Sequence, residues 1–222
     1  EGLRRDLLAN VSHDLRTPLT MIKGYSEVMR DLPGENTPEN VQIIIDETQR
    51  LTNLVNDLLD LSKLEAGVVP LDKTRFNLTD SIRQTLQRYD KLADYRFPFY
   101  ADRDVFVTAD ELRISQVVYN LVNNAITYAG ADKTITLRQT VGDGMVRISV
   151  TDTGEGIPAD KLRDIWQRYY KVDKSHKRAQ IGTGLGLSIV KNVMDLHGGR
   201  YGVESQLGVG STFWFALPLT GE

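Results

Sequence analysis

The sequence contains no cysteine, which excludes disulfides, thiolate metal sites and cysteine nucleophiles. No apolar run approaches the roughly 20 residues that span a bilayer, and no signal peptide is present. Charge of one sign is not in excess either. The 27 Lys plus Arg against 30 Asp plus Glu give net −3, too mild for nucleic acid or an anionic membrane surface as the main partner. What is present is an ordinary soluble composition, 41% hydrophobic and 26% charged. A length of 222 residues allows one or two domains with a core that needs no staples. The start at Glu1 is read as that of an excised piece.

Hydrophobic periodicity organises the first third of the chain. Leu3, Leu7, Leu8, Val11, Leu15, Leu19, Ile22 and Met29 recur mostly three and four apart, which predicts one helix over residues 2–31. Leu32-Pro33-Gly34-Glu35-Asn36 ends it. Thr37 as N-cap and Pro38 at the first helical position open a second helix to about residue 66, with Gly67 as its cap. Its stripe is Val41, Ile44, Thr48, Leu51, Val55, Leu58, Leu61 (or Leu59) and Leu64, close to a heptad. A lone hairpin cannot cover both stripes. A second copy closing a dimeric four-helix bundle is the economical solution, with packing on the rest of the same chain as the alternative. Residues 1–66 hold 7 basic and 12 acidic side chains, whereas the remainder is net positive, so the domains are read as 1–67 and 68–222.

The second part mixes periods. Helices are predicted over 76–93, 110–128 and 185–197, with a short one at 160–169 in an irregular polar stretch. Strands are predicted at 103–108, 134–140, 145–151, 201–206 and 211–217, the middle pair turning at Gly142-Asp143-Gly144. The fold class is α+β: a helical hairpin followed by a two-layer α/β sandwich.

Of three histidines, His13 stands out. On a helix it shares a face with Thr17. Pro18 crowds the carbonyl of Asp14 and should bend the helix. Asp14 can orient the ring and take its proton, leaving the other nitrogen as a nucleophile. A histidine beside an aspartate is also a common surface pair. His176 and His197 read as structural or incidental, the latter at a helix C-terminus before Gly198-Gly199.

Four later stretches each allow a reading as ligand chemistry beside a plainer structural one. Asn120 and Asn124 lie one helical turn apart, where two amide oxygens suit Mg²⁺, although such a pair is often a solvated face. Asp152-Thr153-Gly154-Glu155-Gly156 follows a strand. Its carboxylate can accept from an exocyclic amine, and its glycines admit a base, but a plain tight turn reads the same way. Residues 165–173, with Trp166, Arg168, Tyr169 and Lys171, read as a docked surface helix or as a lid bringing cations to phosphates. Gly182-Thr183-Gly184-Leu185-Gly186 opens a helix, where converging N–H groups and the dipole favour an anion. It lacks the Lys and spacing of a P-loop.

His13-Asp14-Leu15-Arg16-Thr17-Pro18-Leu19 resembles the phosphoacceptor box of bacterial sensor histidine kinases. The four later stretches resemble, in order, the asparagine box, first glycine box, phenylalanine box and second glycine box of that family's GHKL-type ATP-binding domain. The resemblance runs from about residue 7 to residue 217. It implies autophosphorylation of His13 from ATP with Asp14 as base, and transfer to an aspartate on a response-regulator receiver domain. Dephosphorylation of that regulator would use Thr17. It further implies Mg²⁺ on Asn120 and Asn124, adenine read by Asp152 with Tyr128 stacked nearby, and nucleotide contacts from Gly154, Gly156, Arg168, Lys171, Gly182, Thr183, Gly184, Leu185 and Gly186. It implies a homodimer, no nucleic acid, and a cytoplasmic fragment without membrane contact of its own from a protein anchored in the bacterial cell membrane. Thr127 stands where the family often has Lys, Trp166 and Tyr169 where it has Phe, and Lys171 where it often has Arg, which trades a bidentate clamp for a point charge. The alternative is a GHKL-type ATP-driven conformational clamp of the gyrase, Hsp90 and MutL kind.

Overall fold

The computed structural model describes residues 2–65, 70–167 and 184–220. The chain divides into two units, Glu1–Ser62 and Lys63–Glu222.

The first unit is the predicted hairpin. Helix α1 covers Gly2–Asp31 and α2 covers Pro38–Glu65. The connection is capped as its residues dictate. Thr37 Oγ1 accepts from the Asn40 N–H at 3.2 Å, and the Asn40 side chain donates to the Glu35 carbonyl at 2.7 Å. Helix α1 continues through Pro18, whose ring is buried. The apolar residues of α2 divide between two faces rather than forming the single stripe expected. Leu54 and Leu61 are buried, whereas Val41, Ile45, Val55 and Leu59 are exposed. With Thr48 and Thr52 between them, the exposed four keep alternating steps of four and three, a heptad seam of their own.

The second unit is built on a five-stranded sheet. The strands are β1 Thr74–Asn77, β2 Phe99–Tyr100, β3 Phe106–Ala109, β4 Thr136–Gly142, β5 Met145–Asp152, β6 Arg200–Gln206 and β7 Gly210–Pro218. The large sheet has the order β2-β4-β5-β7-β6, antiparallel except for β2 beside β4, and β1 pairs with β3 separately. The helices are α3 Leu78–Gln87, α4 Glu111–Tyr128 and α5 Gly186–His197. One face of the sheet is apolar by the strand period of two. Val146, Ile148 and Val150 of β5 are buried opposite Leu217, Phe215 and Phe213 of β7. The core is completed by Ile114, Val117, Val118, Leu121 and Val122 of α4 with Ile189, Val190, Val193 and Met194 of α5, all at most 1% exposed. Each such side chain contributes about 1.5–3 kcal/mol. The β4–β5 turn is the expected Asp143-Gly144, both with positive φ.

Three expectations change. Helix α3 ends at Gln87 rather than near residue 93. Beyond it the chain tightens into successive i→i−3 bonds at Tyr89, Leu92 and Tyr95. This turns the Tyr89 ring inward, where its hydroxyl donates to Asn123 Oδ1 at 3.1 Å. The helix expected at 160–169 is two 3-10 turns, Ala159–Lys161 and Asp164–Trp166, with residues 168 and 169 outside the described part. Strands β1 and β2 were not expected from the sequence pattern; each is held by a partner far away in sequence.

Candidate functional site

His13 lies on the outer face of α1 with its side chain 78% exposed. Nδ1 stands 3.4 Å from Asp14 Oδ1. A carboxylate there accepts, so Nδ1 carries the proton and Nε2 presents its lone pair outward. One turn on, Thr17 Oγ1 donates to the His13 carbonyl at 3.2 Å. The two side chains share a face, as their spacing requires, and the hydroxyl lone pairs stay open to a further donor.

The second group of residues lies in the Lys63–Glu222 unit. Asp152 is the next inward position after Val146, Ile148 and Val150, so the strand period places a carboxylate on the core side of β5, 2% exposed. Burial pushes its pKa up to about 6, against hydrogen bonds from the Gly154 and Ser211 N–H groups that hold it down. Gly154 N donates to Oδ1 at 2.9 Å. The turn that follows is tied to the β6–β7 connection: Gly208 N donates to the Glu155 carbonyl and Ile157 N to Ser205 Oγ, each at 2.8 Å.

Two glycines make this possible. A Cβ on Gly154 would fall on the Tyr128 carbonyl oxygen, and one on Gly210 would fall on the Asp152 carbonyl oxygen. Gly154→Ala is therefore expected to destabilise the unit by about 1–3 kcal/mol, the cost of overpacking. It should also push Asp152 out of place. A denaturant melt checks the first, and an unchanged midpoint would contradict it.

Helix α4 joins this turn to the start of α5. Its C-terminal Tyr128 meets Gly154, and two turns earlier Asn120 Oδ1 lies 3.5 Å from where a Cβ of Gly186 would sit. Asn120 Nδ2 is buried with no hydrogen-bond partner among the described residues. Such a donor calls for an oxygen that the described residues do not supply, such as a phosphate or an ordered water. Among the described residues no group of three His, Cys, Asp or Glu could cage a metal. The amides of Asn120 and Asn124 are hard oxygen donors. They suit a Mg²⁺ that takes its remaining ligands from water and phosphate. The Leu185 side chain is fully buried and belongs to the core. Gly184 has φ +69.

Trp166 docks edge-on against Tyr201 and Phe213, with centroids 4.7 and 5.9 Å away, so the aromatic anchor expected of this stretch is present. Arg168, Lys171, Gly182 and Thr183, with Tyr169 and His176, lie outside the described residues. Sequence reasoning assigned no role to Gly130, where a Cβ would fall on Thr153, and read residues 208–213 only as resembling the family's closing segment, without the contacts of Gly210 and Ser211 with Asp152. The glycine spacing of 208–210 was the available signal.

A family model described as histidine kinase-, DNA gyrase B- and HSP90-like ATPase matches residues 109–221. A second, the His Kinase A phospho-acceptor domain, matches residues 3–67. The sensor histidine kinase WalK of Bacillus subtilis is 35% identical over 99% of this chain and 37% of its own length. The chain thus spans well under half of the curated relatives it matches. Among solved structures, histidine kinase ThkA in complex with response regulator protein TrrA is 31% identical with TM-score 0.77, covering 97% of this chain and 61% of that one. Full-length ShkA in complex with AMPPNP is 28% identical with TM-score 0.70, covering 98% and 46%.

Proposed function

The chain belongs to the bacterial two-component sensor histidine kinases, and we propose that it moves the γ-phosphate of ATP onto His13 and from there to a response-regulator aspartate. The carrying observation is the pairing of an exposed His13, oriented by Asp14, with a separate unit whose buried carboxylate, close-approach glycines and orphaned asparagine amide suit a nucleotide. ThkA held by its regulator and ShkA holding AMPPNP support both halves.

Nε2 of His13 attacks the γ-phosphorus, the bond to the β,γ-bridging oxygen breaks, and ADP leaves. Asp14 steadies the imidazolium through Nδ1 and takes its proton. Asp152 orients adenine beside Tyr128, Gly154 and Gly156. The phosphates are assigned to Arg168, Lys171 and the backbone N–H groups of residues 182–186, by residue type and order. Asn120 and Asn124 would hold Mg²⁺, which when bound neutralises phosphate charge.

The domains are placed at 1–67 and 68–222. The exposed Val41, Ile45, Val55 and Leu59 support a homodimer in which a second copy covers them. No helix among the described residues is long and apolar enough to cross a membrane. Attachment to the cell membrane is assigned to parts of the full-length protein beyond this cytoplasmic piece.

Incubation with γ-labelled Mg·ATP tests the reading: a label that survives base and is lost in acid is expected. ATP hydrolysis without labelled protein would favour the conformational clamp. We also assign regulator dephosphorylation to the bundle, with Thr17 positioning the attacking water. Thr17→Ala should lower that activity about tenfold, as one hydrogen bond allows, while autophosphorylation stays near wild type. Alanine is the better helix former, so the helix itself should not weaken. Equal losses in both rates on one folded preparation would reject the selective role.

A further inference from the structure

The segment leading into the second unit is fastened to one side chain. Strand β1 pairs antiparallel with β3, and Thr74 lies opposite Ala109 at the end of that ladder. Past it, the Asp72 N–H donates to Asp110 Oδ2 at 3.2 Å, so a carboxylate extends the pairing that the backbone has finished. The other oxygen, Oδ1, accepts from the Arg113 N–H at 3.1 Å and caps α4. The Asp110 N–H in turn donates to His197 Nε2 at 3.0 Å. A backbone N–H can only donate, so Nε2 accepts and the ring proton sits on Nδ1, which donates to the Val193 carbonyl in α5 at 2.8 Å. Asp110 is buried and His197 half-buried. Burial, with Lys73 nearby, lowers the imidazole pKa and favours the neutral ring that this arrangement needs, although the Val193 bond and Asp110 act the other way.

One junction thus holds the residues before β1, the start of α4 and the end of α5. Helix α4 carries Asn120 and Asn124, and α5 begins at Gly186 beside Asn120. We propose that Asp110 and His197 are positioning residues, a latch that fastens the segment at Asp72 to both helices of the nucleotide site. Nucleotide occupancy and the hold on that segment then bias each other by the same factor. The inference rests on the nucleotide reading above, and neither residue touches the nucleotide.

The test uses the full chain. In Asp110→Asn the single amide oxygen still caps α4, since Asn ranks with Asp as an N-cap, but an NH₂ replaces the acceptor that Asp72 needs. In wild type, AMPPNP should slow hydrogen exchange at the Asp72 amide by roughly five- to tenfold, the scale of one hydrogen bond to a charged group. In Asp110→Asn that slowing should vanish. AMPPNP affinity should fall by the same factor, as the reciprocal bias requires. His197→Leu should behave alike, and His197→Gln, which restores an acceptor for the Asp110 N–H, should recover most of the loss. Wild-type exchange that ignores AMPPNP, or an Asp110→Asn protein with wild-type AMPPNP affinity, overturns the latch. So does a drop in affinity that leaves the AMPPNP-dependent slowing at Asp72 in place, because a merely structural role predicts that. A wild type that shows the exchange effect but takes no label at His13 sinks the phosphotransfer reading and leaves the latch standing. Labelling without the exchange effect does the reverse.

Discussion

Asp152→Asn is expected to move stability and nucleotide binding in opposite directions. The folded pKa of about 6 lies above the ordinary 3.8. The stability this carboxyl contributes is therefore complete below pH 3.8 and is lost as pH rises through about 6. A shift of that size is worth about 3 kcal/mol once the group is fully ionised. Asparagine keeps the shape and never ionises, but it gives up an acceptor for one of the two backbone N–H groups, returning about 1–2 kcal/mol. The variant should accordingly be more stable than wild type by about 1–2 kcal/mol at pH 8, with the advantage fading towards pH 4. It should also bind AMPPNP about 10- to 100-fold more weakly, as loss of a charged acceptor predicts. Urea melts at several pH values and a binding titration read the two effects. A variant less stable at pH 8 would make Asp152 a structural hub rather than a ligand held at a folding cost.

His13→Gln is expected to abolish stable protein phosphorylation and leave AMPPNP affinity within about twofold, well under the energy of one hydrogen bond. The histidine belongs to the Glu1–Ser62 unit and the nucleotide residues to Lys63–Glu222, so acceptor and binding site should separate cleanly. The position is exposed on α1, where glutamine is a good helix former, and the bundle should melt as wild type does. Acid-labile label retained by the variant would overturn the acceptor assignment.

Elements with local punctuation were legible in the sequence. Thr37-Pro38, the Asp110 cap of α4, the Asp143-Gly144 turn and the Gly198 cap of α5 each place a boundary within a residue or two. Elements held by distant partners were not. The two residues of β2 are a strand because β4 lies beside them. Helix α3 stops where Tyr89 reaches Asn123, with no Gly or Pro to announce it. The two faces of α2 merged into one stripe, because Ile44 beside Ile45 and Leu54 beside Val55 fit either register. At the site, residue type and order were enough to single out His13, Asn120, Asn124, Asp152 and the glycines. The Asp110–His197 junction was not legible, since it depends on which strand end and which helix end meet in space.

The central claim is that His13 receives the phosphate. The most direct measurement is peptide mapping of the Mg·ATP-treated protein under alkaline conditions, which preserve phosphohistidine. The phosphate should fall on the peptide containing His13 and be absent from those containing His176 and His197. Phosphate on another residue, or consumption of ATP with no phosphorylated peptide at all, would contradict the account.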